Sequence, residues 1–241
     1  MNPKSRLTEA TFTFIDELND FLPHDRKNIA FSLDFEDHQT LKHLIESIGV
    51  PHTEFDRVLV NGQIVDSASH LRDGDRVTVY PSNTPLPDKP CFILDNHLGQ
   101  LATYLRMLGF DSLYQNDYQD DELAQVSSQE ERVLLTRDRR LLMRKAIRRG
   151  YCIHQTDPRL QAAEVLRRFN LFGQVRPFQR CLRCNSPLLV VSKQDVIERL
   201  EPLTKRYYDE FHICPSCNQI YWKGSHFEHM QQMIIEMAAQ P

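Results

Sequence analysis

The chain reads as an α/β protein. Its middle is a parallel sheet with helices on both faces, preceded by a small α+β unit and followed by a cysteine-paired module. Three observations predict this. From Cys91 to about Phe172 short apolar runs alternate with amphipathic stretches of helical spacing, and strict strand–helix alternation implies parallel strands joined by crossovers. Ser82 to Pro90 carries Pro85, Pro87 and Pro90 among Ser, Asn and Asp, the composition of a moderately stiff linker. Beyond about Gly173 four cysteines fall in two C-x-x-C pairs. The expected division is residues 1–82, a linker 83–90, then 91–172 and 173–241.

Composition supports a soluble globular chain. With 241 residues, 41% hydrophobic and 26% charged, there is enough chain for two or three cores. No apolar run approaches a membrane span, and Met1 to Asp20 lacks the basic start and apolar core of a signal peptide. The expected compartment is the cytosol, with no membrane partner. A net charge of -4 argues against wholesale coating of nucleic acid, yet Arg132 to Arg149 holds eight Lys or Arg against one acid, Asp138. Phe169 to Arg183 adds three arginines and no acid. Such stretches either track a phosphate backbone or form solvated helix faces.

In the first unit, Asn28 to Phe35 alternates, with Ile29, Phe31, Leu33 and Phe35 on one side of a half-buried strand. Thr40 to Ile48 sets Leu41, Leu44, Ile45 and Ile48 on one helical face, stopped by Gly49 and Pro51. Strands follow at Arg57 to Val60, Gln63 to Val65 and Arg76 to Tyr80, the first two joined by the tight-turn pair Asn61-Gly62. Val60-Asn61-Gly62, Leu71 and Asp73-Gly74-Asp75-Arg76-Val77 resemble the ubiquitin-like β-grasp sulfur carriers. Those carriers end in a free Gly-Gly tail, whereas here the chain runs on through Val79-Tyr80-Pro81. Carrier chemistry is excluded, which leaves docking of a protein partner, scaffolding or a purely structural role.

The second unit opens with a strand at Phe92 to Leu94 and a helix whose stripe is Leu98, Leu101, Ala102, Leu105 and Leu108, ended by Gly109. Strands are expected at Asp111 to Tyr114, Arg132 to Thr136 and Tyr151 to Ile153. Helices are expected from about Asp121, over Arg139 to Arg148, and over Pro158 to Phe169. The last unit shows a strand at Leu188 to Val191, an aromatic patch at Tyr221-Trp222 and a helix from His229.

An open parallel sheet binds ligands at the carboxyl ends of its strands. Asp95 follows the first strand, Asp117, Asp120, Asp121 and Glu122 the second, Asp138 the third and Asp157 the fourth. Crowded carboxylates call for a cation, and hard oxygen ligands suit Mg²⁺ or Mn²⁺. Such an ion activates water for hydrolysis of a phosphate ester. Each acid has a plainer reading. Asp120 or Asp121 caps a helix, with Glu122 favourable in its first turn; Asp117 lies in a loop; Asp157 caps the helix that Pro158 opens. His97 caps the following helix, touches substrate or is simply exposed to solvent. Asp95 and Asp138 are the hardest to explain structurally.

Leu98-Gly99, Leu101-Ala102, Leu105-Arg106, Leu108-Gly109-Phe110-Asp111, Asp120-Asp121-Glu122-Leu123 and Leu134-Leu135-Thr136-Arg137-Asp138 resemble the Mut-7 C-terminal RNase family, a PIN-like nuclease group. With a zinc-ribbon tail, the similarity covers Cys91 to about Met230. The ubiquitin-like unit also resembles the one fused in front of this family in bacteria. The resemblance implies a three-layer PIN-like fold and a ribonuclease with Asp95, Asp121 and Asp138 as metal-binding acids. Arg106, Arg137 and Arg139 become candidate RNA contacts, and the arginines of a 137–149 helix would steer RNA. Gln100 and Thr103 stand where the family carries basic residues, which motivates an alternative, a non-catalytic RNA-binding or adaptor protein, although the acids themselves are intact.

Cys181-x-x-Cys184 and Cys214-x-x-Cys217 match a four-cysteine tetrahedral zinc site. Asn185 and Asn218 follow the pairs, and asparagine tolerates the left-handed backbone that turns amides toward sulfur. Disulfides are disfavoured in the cytosol, and a redox C-x-x-C would not need two copies. The zinc is structural, because four cysteines close the site; His212, His226 and His229 are spare. Trp222, within the family-like stretch Trp222 to His226, packs the ribbon or stacks on a base. Cys91 and Cys152 are given no chemistry.

Overall fold

The computed structural model describes residues 8–224 together with Phe227, Gln232 and Glu236. Three sheets follow one another along the chain. The first has order β2-β1-β5-β3-β4, with β1 (Thr8–Phe14), β2 (Phe31–Phe35), β3 (Phe55–Val60), β4 (Gln63–Val65) and β5 (Arg76–Pro81). β1 runs parallel to β5 and antiparallel to β2. It buries Ala10, Phe12 and Phe14, an alternation that the expected elements did not include.

Helix α1 (Leu41–Ile48) starts where Thr40 Oγ1 accepts the His43 N–H at 3.3 Å, and stops at Gly49 with φ 113°. Its Leu41, Leu44 and Ile45 share the buried cluster of the sheet. Asn61 and Gly62 both have positive φ, 52° and 81°, the conformation a two-residue hairpin needs. This is a β-grasp arrangement. The strand expected from Asn28 begins only at Phe31 and leaves Ile29 53% exposed. The reason is local: Asn28 is left-handed (φ 57°) and its N–H goes to Asn19 Oδ1 at 2.7 Å, which turns the chain before the strand.

The second sheet is wholly parallel, in the order β7-β6-β8-β9, with β6 (Cys91–Leu94), β7 (Asp111–Leu113), β8 (Val133–Thr136) and β9 (Gly150–Cys152). Apart from Thr136 at its end, β8 is apolar like β6, because both of their faces are covered. Phe92, Leu94, Val133 and Leu135 pack with α2 (Gly99–Met107) and α5 (Pro158–Arg168). Ile93 and Leu134 face the other way, toward α3 (Asp120–Gln129) and α4 (Arg139–Leu142). That second core is continuous with the core of the N-terminal sheet.

α4 is much shorter than the helix expected to Arg148. The chain leaves it because Ile147 is fully buried and its carbonyl accepts His52 Nε2 at 2.8 Å across the junction. The supposed 137–149 helix therefore does not exist as one element, and its arginines part company.

The third sheet is the antiparallel trio β10 (Leu189–Val191), β11 (Phe211–Ile213) and β12 (Ile220–Trp222) around a small core of Val196, Leu200, Phe211 and Ile220. Only the first of these strands was expected. Of the helix expected from His229, Gln232 and Glu236 are described and both are helical, while His226 and His229 lie outside the described residues. Among the described residues no helix is long and apolar enough to cross a membrane.

Candidate active site and cysteine cluster

β6 and β8 are neighbours at the point where strand order reverses, and it is outside the carboxyl ends of such strands that open parallel sheets have their ligand crevice. Asp95 stands there, only 7% exposed. Its Oδ2 accepts the Thr136 hydroxyl and, at 3.2 Å, the Arg137 N–H. Its Oδ1 accepts the His97 N–H at 2.9 Å and lies 3.6 Å from His97 Nδ1. Thr136 is fully buried, and its oxygen accepts the Asp138 N–H at 2.9 Å. Asp138 is exposed and caps α4, its Oδ1 accepting the Arg140 N–H at 2.8 Å. One buried hydroxyl thus ties the two acids together. A carboxylate has about four lone-pair sites, so Asp95 keeps one on Oδ1 for a ligand.

Asp121 is placed differently. Its side chain is 92% exposed and hydrogen-bonded to the Arg144 guanidinium, which also reaches Asp120 Oδ2 at 3.5 Å. Asp138 adds to the negative field at Arg144, and the Asp121 hydrogen bond foremost holds that guanidinium protonated more firmly than usual. Among the described residues only the cysteines bring three or more ligand atoms within 4.8 Å of one another. Asp95, Asp121 and Asp138 are therefore not gathered into one cage; a cationic side chain stands among the outer acids. Asp95 and Asp138 fit the sparse protein ligation, completed by water, that Mg²⁺ favours.

Asp157 caps α5, its Oδ1 accepting the Arg159 and Leu160 N–H groups. Glu122 accepts the Gln119 N–H at 2.9 Å at the start of α3. Both are helix-end groups. Asp117 is exposed in the loop before α3, and His97 is exposed.

The four cysteine sulfurs form a cluster, free of disulfides. Cys181 lies 3.5 Å from Cys217, and Cys184 3.4 Å from Cys214, near the separation of about 3.8 Å that tetrahedral Zn–S bonds of about 2.3 Å impose. The two knuckles are built alike. Asn185 (φ 67°) and Asn218 (φ 59°) are left-handed, and their N–H groups return to the Cys181 and Cys214 carbonyls at 2.9 Å. Burial opposes ionisation of Cys184, but hydrogen bonds from Ser186 and the neighbouring thiols bring it down to about 6. Cys217, despite the Gln219 N–H, is pushed up to about 12 by burial and three neighbouring sulfurs. Such crowding of thiolates calls for a cation, and the donor set suits zinc.

A family model described as the Mut7-C RNAse domain matches residues 90–234. The chain belongs to the Mut7-C RNAse family. The Mut7-C ubiquitin model matches residues 7–87 in front of it, so the Mut7-C chain carries both parts in the expected order. No curated protein matches it. Two solved structures are similar to part of it. The solution structure of the Haloferax volcanii HVO 2177 protein has 20% identity and a TM-score of 0.27, covering 32% of this chain and 86% of that one. A Pyrococcus furiosus protein, described as a candidate molybdopterin converting factor, subunit 1, has 19% identity and a TM-score of 0.25, covering 31% and 97%.

Within the Mut7-C unit the expected RNA contacts separate. Arg106 is buried: its Nε donates to the Ser112 carbonyl at 2.8 Å and its Nη1 to the Leu182 and Arg183 carbonyls at 3.2 Å. It bolts α2 to β7 and the first cysteine knuckle, and has no face left for substrate. Arg139 donates to the Phe21 carbonyl at 2.8 Å and lies over the Phe21 ring, so it docks the N-terminal unit. Arg137 remains exposed beside Asp138, and Gln100 and Thr103 are exposed on α2. Trp222 packs against Tyr208 and Phe211.

Two residues that touch the candidate site and the cysteine cluster escaped the sequence reading. Thr136 sat inside a quoted motif, its position at a strand end being the available signal. Tyr221, whose hydroxyl lies 3.1 Å from Cys181 Sγ and accepts the Leu182 N–H at 3.1 Å, gave no signal beyond its aromatic neighbour.

Proposed function

We propose that this Mut7-C chain is a metal-dependent ribonuclease working at the carboxyl edge of β6 and β8. The Asp95–Thr136–Asp138 linkage at the strand-order reversal carries this reading. Asp95 and Asp138 would hold one Mg²⁺ or Mn²⁺, with Asp121 joining once Arg144 is drawn away. Such an ion, when bound, acidifies water and screens charge on a phosphodiester. The chain's own part is to fix Asp95 through Thr136 and two backbone N–H groups, and to set Arg137 beside the crevice for substrate phosphate. The four cysteines would hold a structural zinc in a reducing cytosol. The working division is 1–82, linker 83–90, 91–172 and 173–241.

The test is cleavage of single-stranded RNA with added Mg²⁺ or Mn²⁺, comparing wild type with Asp95→Asn. The substitution is expected to remove metal-stimulated cleavage. Activity that survives both the substitution and omission of the ions would sink the assignment. The Asp121–Arg144 pair favours a second reading, RNA binding without turnover, which tight binding with no cleavage at any divalent ion would establish.

A further inference from the structure

The opposite, amino edge of the parallel sheet carries a second feature that the ribonuclease reading does not use. Where β8 and β9 begin, a cavity of about 160 Å³ opens between the N-terminal unit and the sheet. It is lined by His52 and Thr53 from one side and by Arg148, Arg149 and Arg168 from the other. We propose that this junction is a phosphate-binding site in which Arg148, Arg149 and Arg168 take a phosphate dianion, as inorganic phosphate or as the terminal phosphate of an oligonucleotide.

Charge, unmet polarity and size support it. Arg148 and Arg149 are exposed and make no ion pair among the described residues. Arg168 lies over the Tyr151 and Phe169 rings, which orient its guanidinium without neutralising it. Its Nε and the Thr53 hydroxyl are buried without hydrogen-bond partners, so both walls contain polar groups for which the protein supplies no match. Asp56 is the acid in the lining, and its Oδ2 already accepts the Asn83 N–H at 2.8 Å and the Thr84 hydroxyl at 3.3 Å. The nearby Glu54 carboxyl is held neutral up to about pH 8 by burial, so it leaves the Arg168 charge standing at neutral pH. The volume is well below the roughly 300 Å³ of a small-molecule pocket, which suits a tetrahedral oxyanion rather than a whole nucleotide. Guanidinium groups match phosphate oxygens in pairs.

The test is calorimetric titration of the full chain with inorganic phosphate at constant ionic strength. In parallel, a short oligoribonucleotide bearing a 5′-phosphate is compared with its 5′-hydroxyl form, without added divalent ion. Saturable binding is expected, weakened at least tenfold in Arg148→Gln/Arg149→Gln and unchanged in Arg72→Gln/Arg76→Gln, a control of equal charge change. All four positions are exposed, and thermal melting confirms that each variant folds. A tenfold preference for the 5′-phosphate, lost in the first variant, identifies an RNA end as the ligand; binding of inorganic phosphate alone identifies the free ion. Neither form binding, or binding indifferent to Arg148 and Arg149, overturns the proposal. No step depends on Mg²⁺ or Mn²⁺, so failure here leaves the ribonuclease reading untouched.

Discussion

Thr136 controls the carboxyl edge through a single oxygen that donates to Asp95 and accepts from Asp138. Thr136→Val keeps the shape but leaves the buried carboxylate short of a donor and the Asp138 N–H short of an acceptor. Cleavage should fall about 10- to 100-fold, the range for groups that orient metal ligands, with weaker Mn²⁺ binding by titration, and Thr136→Ser should restore both. Unchanged Mn²⁺ affinity would show the hydroxyl to be structural only. Arg144 poses the complementary question. It stands as a cation among Asp120, Asp121 and Asp138, so Arg144→Ala should tighten Mn²⁺ binding several-fold; an unaltered affinity would remove Asp121 from the site. The placement of Asp95 and Asp138 just past β6 and β8 was legible in the sequence, because each follows a short apolar run; that Asp138 also caps α4 was not. Arg106 was misread because its partners, Leu182 and Arg183, lie in another unit of the chain, and no local pattern encodes a carbonyl so distant.

Elements with one dominant constraint were the readable ones. The stripe Leu98, Leu101, Ala102, Leu105 and Leu108 is buried throughout, since 3.6-residue periodicity and a covered face say the same thing. Its end is equally determined. Gly109 has φ 99°, and a Cβ there would lie 2.0 Å from the Arg176 carbonyl oxygen. Gly109→Ala should therefore cost on the order of 3 kcal/mol, from left-handed strain and a backbone clash, seen as a lower urea midpoint. The start of the same helix explains Leu98-Gly99, because the Tyr114 hydroxyl lies 2.6 Å, and its ring 2.7 to 3.0 Å, from where a Gly99 Cβ would stand. α4 was overrun for the opposite reason: charge-rich helical spacing continued past Leu142, and only the burial of Ile147 against the N-terminal unit cuts it short.

Across the whole molecule, the junction between the first two sheets holds the group from which a pH dependence of stability is expected. Glu54 is buried, and despite the Cys152 N–H at 2.7 Å its carboxyl is pushed from 4.5 up to about 8. The folded chain thus holds a proton that the unfolded chain has lost between those values. The contribution to stability is complete below about 4.5, declines as pH rises and is gone above about 8, with a slope of order 1 kcal/mol per pH unit. Glu54→Gln, which keeps an acceptor for Cys152, should flatten that decline in denaturant midpoints taken from pH 5 to 8; a decline as steep as in wild type would assign it to other groups. Neither the pairing nor the junction was visible beforehand, because a prolinerich connector between two folds looks the same whether they touch or swing free. They touch. Ile93, Leu134, Leu142 and Cys152 share one buried cluster with Phe14, Phe21 and Val79. A sheet lifted out at Cys91 would carry that face bare into water, so the front unit is a wall of the building rather than a passenger. Another ubiquitin-like fold could replace it only by bringing its own Phe21 and Glu54 to the same places.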